Sequence, residues 1–175
     1  MNLKFSKLNI LVIGEVMLDI YSYGKSYRES PEGPIPVIVE SNDEYLLGGA
    51  ANVANNIKKL DAQVSLMSLL GKDSEGVAIK KLLNKSEINS ERLLELNEYS
   101  TIVKKRIFAN DQPIARIDRE VIKQNDNLLF PKHNLILEEY DGVIISDYDK
   151  GLINEKSARN IIKACNKINI PVIVD

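Results

Sequence analysis

Two glycines that run straight into a helix pattern, Gly48-Gly49-Ala50-Ala51-Asn52-Val53-Ala54, are the first residues whose spacing suggests chemistry. Glycine lets backbone approach a ligand closely, and the unpaired N–H groups of a helix's first turn favour an anion or a cluster of hydroxyls. Asn52 fits that use, being a weak helix former and a good hydroxyl partner. A plain turn leading into a helix packed through small residues explains the same spacing. No Walker loop and no Gly-x-Gly-x-x-Gly occurs, so the ordinary nucleotide fingerprints are missing.

A second constellation surrounds Asn110-Asp111-Gln112. If these residues form a hairpin loop, Ala109 pairs with Pro113, and the register sets Arg106 opposite Arg116 and Lys104 opposite Asp118 on one face. Like charges directly opposite destabilise a sheet, so an arginine pair makes sense with an anion between the guanidinium groups. A solvated edge with both side chains in water is the other reading, and a one-residue slip abolishes the pairing.

The third is Ser146-Asp147-Tyr148-Asp149-Lys150-Gly151, just past the strand pattern Val143 to Ser146. Ligands of open parallel sheets bind beyond the carboxyl ends of strands, which makes Asp147 and Lys150 candidates. Asp19 holds the equivalent place after the first strand pattern. An aspartate there is also a common turn former. His133, in a polar stretch, reads as surface, and Cys165, on an apolar helix face, reads as core. No pair of Cys, His or carboxylates has metal-site spacing.

The elements that must position these residues follow from hydrophobic patterning. Asn9 to Gly14, Val64 to Leu70, Val143 to Ser146 and Pro171 to Val174 are short continuous apolar runs, suited to strands buried on both faces. Between them, 50–60, 74–85 behind Asp73, and 154–168 have helical periodicity. Alternating strand and helix predicts an α/β fold with a mostly parallel central sheet between two helical layers. Residues 35–47, with a polar turn before Glu44-Tyr45-Leu46-Leu47, and residues 101–119 read instead as antiparallel strand pairs of a second, smaller sheet. The closing run Ile170 to Asp175 looks like a central strand, which ordinarily continues into a covering helix, so the fold is expected to be truncated there.

The composition excludes several classes. With 23 basic and 25 acidic residues in 175, a net charge of −2, the chain lacks the basic excess of a nucleic-acid footprint. A single cysteine fits a reducing, cytoplasmic setting. No apolar run approaches a membrane span or a signal-peptide core.

Taken together, the motifs resemble the ribokinase (PfkB) family of carbohydrate kinases, and within it the heptose 7-phosphate kinase branch. The resemblance rests on Gly14 to Asp19, on Arg28-Glu29-Ser30-Pro31-Glu32-Gly33-Pro34-Ile35-Pro36-Val37, and on Gly48 to Ala54. It continues through Gly71 to Gly76, Val103 to Arg106, Gln112 to Asp118, Ser146 to Gly151 and Pro171 to Asp175. It implies a ribokinase-like three-layer sandwich with a small β lid, formed here by about 35–47 and 101–119, that also joins two copies into a homodimer. It further implies ATP and Mg²⁺, and phosphorylation of the anomeric hydroxyl of D-glycero-D-manno-heptose 7-phosphate. On this resemblance Asp19, Gly48, Gly49 and Asn52 hold sugar hydroxyls, while Lys104, Arg106, Arg116 and Lys150 meet the sugar phosphate; Asp147 is a further substrate-binding candidate. Glu15 stands where the family usually has Asp, and Leu46-Leu47 where the heptose branch commonly has Arg-Pro. Another sugar kinase of the same fold, or a non-catalytic sugar-phosphate-binding module, remains compatible with the residues.

The family's Gly-Ala-Gly-Asp segment, with its catalytic aspartate, has no match here and is expected beyond Asp175. Expressed alone, the chain is therefore expected to show no kinase turnover; ATP-dependent formation of a sugar bisphosphate would refute this.

Overall fold

The computed structural model describes residues 5–120 and 137–175, so His133 lies outside the described residues. Strands β1 (Asn9–Gly14), β4 (Gln63–Gly71), β5 (Asn89–Leu96), β8 (Gly142–Ser146) and β9 (Val172–Val174) form one parallel sheet in the order β5-β4-β1-β8-β9. The run Leu11-Val12-Ile13 is continuously apolar because both faces of β1 are covered. Val12 packs with Ile79 and Leu83 of α2 (Ser74–Lys85) and with Ala50, Ala51 and Ala54 of α1 (Ala50–Lys59). Leu11 and Ile13 pack with Ile161 and Cys165 of α3 (Glu155–Lys167). Cys165 is thus core, as its helical position implied.

That strand order makes the chain build outward from β1 to one side, through β4 and β5, and then to the other, through β8 and β9. The reversal falls between β1 and β8, and the crevice beyond their carboxyl ends is where an open parallel sheet binds ligands. Gly14 and Ser146 are paired at that point.

A second sheet, in the order β3 (Pro36–Gly49), β2 (Val16–Glu29), β6 (Ile102–Ala109), β7 (Gln112–Arg119), stands beside the first and differs from the sequence expectation in three ways. Residues 35–47 are not two strands about a turn: β3 runs unbroken over Pro36–Gly49. Its partner is β2 (Val16–Glu29), which leaves Asp19 inside a strand rather than in a loop. The turn-like Asn42-Asp43 stays extended because it pairs with Tyr23 and Ser22, whose hydroxyl donates to the Asp43 carboxylate. Third, β6 (Ile102–Ala109) joins β2 in parallel. The hairpin of β6 with β7 (Gln112–Arg119) is antiparallel as expected. Its loop is two residues, Asn110-Asp111, both at positive φ, and a bulge at Ile107/Phe108 restores the expected pairing of Arg106 with Arg116 and Lys104 with Asp118.

The small sheet is anchored at its foot. Asp73 caps α2, as its position predicted, by accepting from the Gly76 N–H at 2.8 Å, and its other oxygen accepts from the Thr101 N–H at 2.8 Å. The Thr101 hydroxyl in turn accepts from the Gly71 N–H at 3.0 Å. Arg119, the last residue of β7, meets Glu75 of α2 at 2.6 Å. Burial pushes the Asp73 carboxyl upward, but hydrogen bonds from Thr101 and Gly76 outweigh it and hold the pKa below its ordinary 3.8.

A carboxyl whose folded pKa is depressed adds stability above its unfolded value, and that stability is lost as pH falls through the folded value. Acid unfolding followed by circular dichroism should therefore show a loss of stability below pH 3.8 that is smaller in Asp73→Ala. At neutral pH Asp73→Ala should destabilise by about 2 kcal/mol in urea titration, since a cap and a second N–H partner go together.

Candidate functional site

The crevice between β1 and β8 is organised by Glu15, the one residue between β1 and β2 and nearly fully buried at 1% exposure. Its carboxylate accepts the N–H groups of Tyr148 at 3.0 Å, Leu152 at 3.0 Å and Ile153 at 3.4 Å. A buried carboxylate needs such partners, and here they come from the loop that follows β8. Its main-chain carbonyl accepts the first N–H of α1, from Ala50, at 2.8 Å. One residue thus fixes both walls of the crevice. Burial pushes the nearby Tyr99 hydroxyl up to about 12, with the Glu15 and Asp73 charges adding to the effect.

Gly48 and Gly49 are required where they stand. Gly49 has φ +57°, and a Cβ there would meet the Glu15 carbonyl oxygen at 2.3 Å. At Gly48 a Cβ would meet the Asp19 carboxylate at 2.6 Å, so the missing side chain is what lets Asp19 lie against the backbone. Among the described residues no side chain caps α1, which leaves the first-turn N–H groups of Ala51 and Asn52 available, and the Asn52 side chain is exposed on that turn.

Facing this end is the charged half of the small sheet. Asp19, Lys104 and Asp118 occupy one cross-strand row, and Tyr21, Arg106 and Arg116 the next. Arg106 donates to Asp19 at 2.6 Å and lies over the Tyr21 ring, 5.1 Å from its centre. The hydrogen bond to Asp19 raises the Arg106 pKa despite partial burial. Arg116 donates to Asp118 at 2.9 Å, and Lys104 reaches the same carboxylate at 3.2 Å. Burial alone would raise the Asp118 pKa; the hydrogen bonds from Lys104 and Arg116 lower it. The arginine pair is where the sequence set it, but its physical reason is different. Each guanidinium has its own carboxylate, so the register needs no bound anion to be tolerated.

Lys150, on the loop after β8, meets Glu120 at 3.1 Å, and Glu120 meets Lys104 at 3.7 Å. The predicted Lys104, Arg106, Arg116 and Lys150 therefore form one cluster with Asp19, Asp118 and Glu120, four cations against three carboxylates. Asp147 stands apart from it, exposed, with its side chain accepting from the Asp149 N–H at 2.9 Å to close the turn. Glu120 escaped the sequence reading entirely, and Glu15 entered it only as a departure from a family pattern. The available signal for Glu15 was a carboxylate inside the apolar run Ile10 to Leu18, where water cannot satisfy it. Two concavities of about 780 and 590 Å³ lie elsewhere, beside α3 and at the amino-terminal end of the main sheet. In the second, Arg92 is already engaged by Tyr140 at 2.8 Å and Glu139 at 3.4 Å.

Replacing Glu15 by Ala should leave the Tyr148, Leu152 and Ile153 amides without their acceptor and free the loop. Hydrogen exchange at those three amides should quicken by more than at the α3 amides, with a global loss of about 3 kcal/mol. Uniform acceleration across the chain would contradict a local role.

The family model described as pfkB family carbohydrate kinase matches residues 7–175. The bifunctional protein HldE of Pasteurella multocida is 39% identical over 174 residues, covering 98% of this chain and 36% of that protein. The one from Campylobacter curvus is 37% identical over 171 residues, with coverage of 97% and 36%. The chain thus spans about a third of the length of the curated relatives it matches. Among solved structures, a putative ribokinase from Agrobacterium tumefaciens overlays 96% of this chain and 52% of its own with a TM-score of 0.74 at 16% identity. A ribokinase from Cryptococcus neoformans in complex with ADP overlays 96% and 48% with a TM-score of 0.62 at 17% identity.

Proposed function

This chain belongs to the pfkB family of carbohydrate kinases, and from that membership we propose that it is the sugar-binding part of a kinase acting on D-glycero-D-manno-heptose 7-phosphate. The reaction is transfer of a phosphoryl group from ATP to the anomeric hydroxyl, giving the 1,7-bisphosphate. Membership of a carbohydrate kinase family implies ATP as the donor. The heptose itself rests on the Ser30-Pro31-Glu32 and Asp147 to Gly151 motifs and on relatives named bifunctional protein HldE. One structural observation carries the reading: the ion-paired cluster of Lys104, Arg106, Arg116 and Lys150 stands beside Asp19 and Gly48 at the topological reversal of the sheet.

In this arrangement Asp19 accepts from sugar hydroxyls, with the Gly48-Gly49 backbone and the first turn of α1 closing the other side. Arg106 holds the Asp19 carboxylate in place and adds positive charge. Lys104, Arg116 and Lys150 take the phosphate already on the sugar, whose dianion matches dispersed cations better than a neutral sugar does. The carboxylates facing the crevice, Asp19, Asp118 and Glu120, are each engaged by cations, so among the described residues none is assigned to Mg²⁺.

A different sugar phosphate is the second reading, and Leu46 favours it. Leu46 pairs with Asp19 and is 41% exposed, which sets an apolar surface beside the hydroxyl-binding carboxylate. The family reading also carries a homodimer through the small sheet, covering exposed Tyr27, Val39 and Ile117, and a cytoplasmic location. No described helix is long and apolar enough to cross a membrane.

Isothermal titration of the chain with the heptose 7-phosphate should give measurable binding. Arg106→Ala and Arg116→Ala should each weaken it by about ten-fold with little change in melting midpoint, because partly exposed ion pairs contribute little to stability. Unchanged affinity in both variants would rule out the phosphate contact.

A further inference from the structure

Lys104 and Lys150 come from different sheets, one from the middle of β6 and the other from the loop beyond β8. They meet through a single side chain, Glu120, which directly follows β7. All three are mostly withdrawn from water, with side-chain exposures of 17% for Lys104, 19% for Lys150 and 26% for Glu120. One Glu120 oxygen accepts from Lys150 at 3.1 Å. The other is buried, makes no hydrogen bond among the described residues, and lies 3.7 Å from the Lys104 ammonium, which itself donates to Asp118 at 3.2 Å.

That pattern differs from the carboxylates that hold the fold together. Glu15 takes three backbone N–H groups and Asp73 takes two, each through short directed bonds. Glu120 balances charge but leaves hydrogen-bonding capacity unused, and a buried acceptor in that state is costly to keep. A phosphate monoester would do better at the same place. It carries more negative charge than a carboxylate and has three terminal oxygens, enough to accept from both lysines at once.

We infer that Glu120 is a built-in counter-anion for Lys150 and, together with Asp118, for Lys104, and that it gives way to the phosphate of the incoming sugar. The inference rests on the sugar-phosphate reading given above and adds a selection rule to it. Binding is an exchange of one anion for another, so a ligand must carry a group that outcompetes a tethered carboxylate. A neutral sugar lacks one and leaves the lysines on Glu120. The tie that Glu120 makes between the two sheets then passes to the ligand.

The test reverses the usual sign of a binding-site substitution. Titrations of the wild-type chain, Glu120→Gln and Glu120→Asp would use the heptose 7-phosphate and the same heptose without phosphate, with circular dichroism checking that each variant is folded. Glu120→Gln should bind the phosphorylated sugar about three- to ten-fold more tightly, since it removes the competing charge and keeps the side chain's shape. Glu120→Asp, whose carboxylate reaches one methylene less far, should show a smaller gain. The neutral sugar should bind all three proteins equally. Phosphorylated-sugar affinity that is unchanged or weaker in Glu120→Gln, or a gain shared by the neutral sugar, would overturn the inference while leaving the sugar-phosphate reading intact. Failure of the wild type and both variants to bind the phosphorylated sugar would overturn that reading and this inference with it.

Discussion

The crevice depends on satisfying one buried carboxylate. Glu15 sits between two strands that leave in different sheets, and nothing in the apolar core can solvate it. Three amides of the loop after β8 must therefore turn toward it, and positive φ at Asp149 and Gly151 shows how sharply that loop bends. Because the same residue's carbonyl takes the Ala50 N–H, the start of α1 is set by the same constraint. The close approach then demands glycine at position 49. Double glycine, helix start and Lys150-bearing loop are thus linked consequences of one electrostatic requirement.

The small sheet obeys a different balance. Its foot is fixed by hydrogen bonds among Asp73, Thr101 and Gly71, with Thr101 fully buried, so losing any of them exposes an unsatisfied group in the interior. Its outer strand β7 is exposed along its whole length. The ion pairs between these extremes are partly screened, and pairs of that kind typically contribute about 0–1 kcal/mol each. Hydrogen bonds at the root, rather than the charges, decide where the sheet stands. The charges are left available for a ligand.

Much of this was legible in the residues, for reasons that also explain the gaps. The main-sheet strands were readable because burial on both faces demands uninterrupted apolar runs, as in Leu11-Val12-Ile13. Helix α2 carried its cap in the sequence, Asp73, whereas the Asn154–Ser157 capping box of α3 emerges only in the structure. Strand β5 was not readable, since an edge strand can hold Glu91, Arg92 and Glu95 without an apolar run. Strands β2 and β3 were obscured by bulges and by Asn42-Asp43, whose turn preference is overridden by cross-strand pairing. The Arg106–Arg116 register survived a wrong loop length because the bulge compensated for it. Carboxylates that neutralise those arginines were harder to see: Asp19 is 87 positions from Arg106, and only the β2–β6 pairing brings them together.

That last contact bears on how the site can respond to a ligand. Asp19–Arg106 lies within the small sheet, whereas Lys150–Glu120 crosses from it to the main sheet. Changing the partner of Arg106 rearranges charge inside one rigid strand pair, but changing the partner of Lys150 alters what joins the two sheets. A ligand can shift such an equilibrium only by its differential affinity for the two arrangements. The leverage is greatest where the resident interaction is least satisfied, and among these carboxylates it is the Glu120 oxygen without a hydrogen bond that meets this condition. Glu15, Asp73 and Asp19 are held by short hydrogen bonds and resist displacement. The fold therefore combines a crevice floor fixed by hydrogen bonds with one weakly held charge at the boundary between its two sheets.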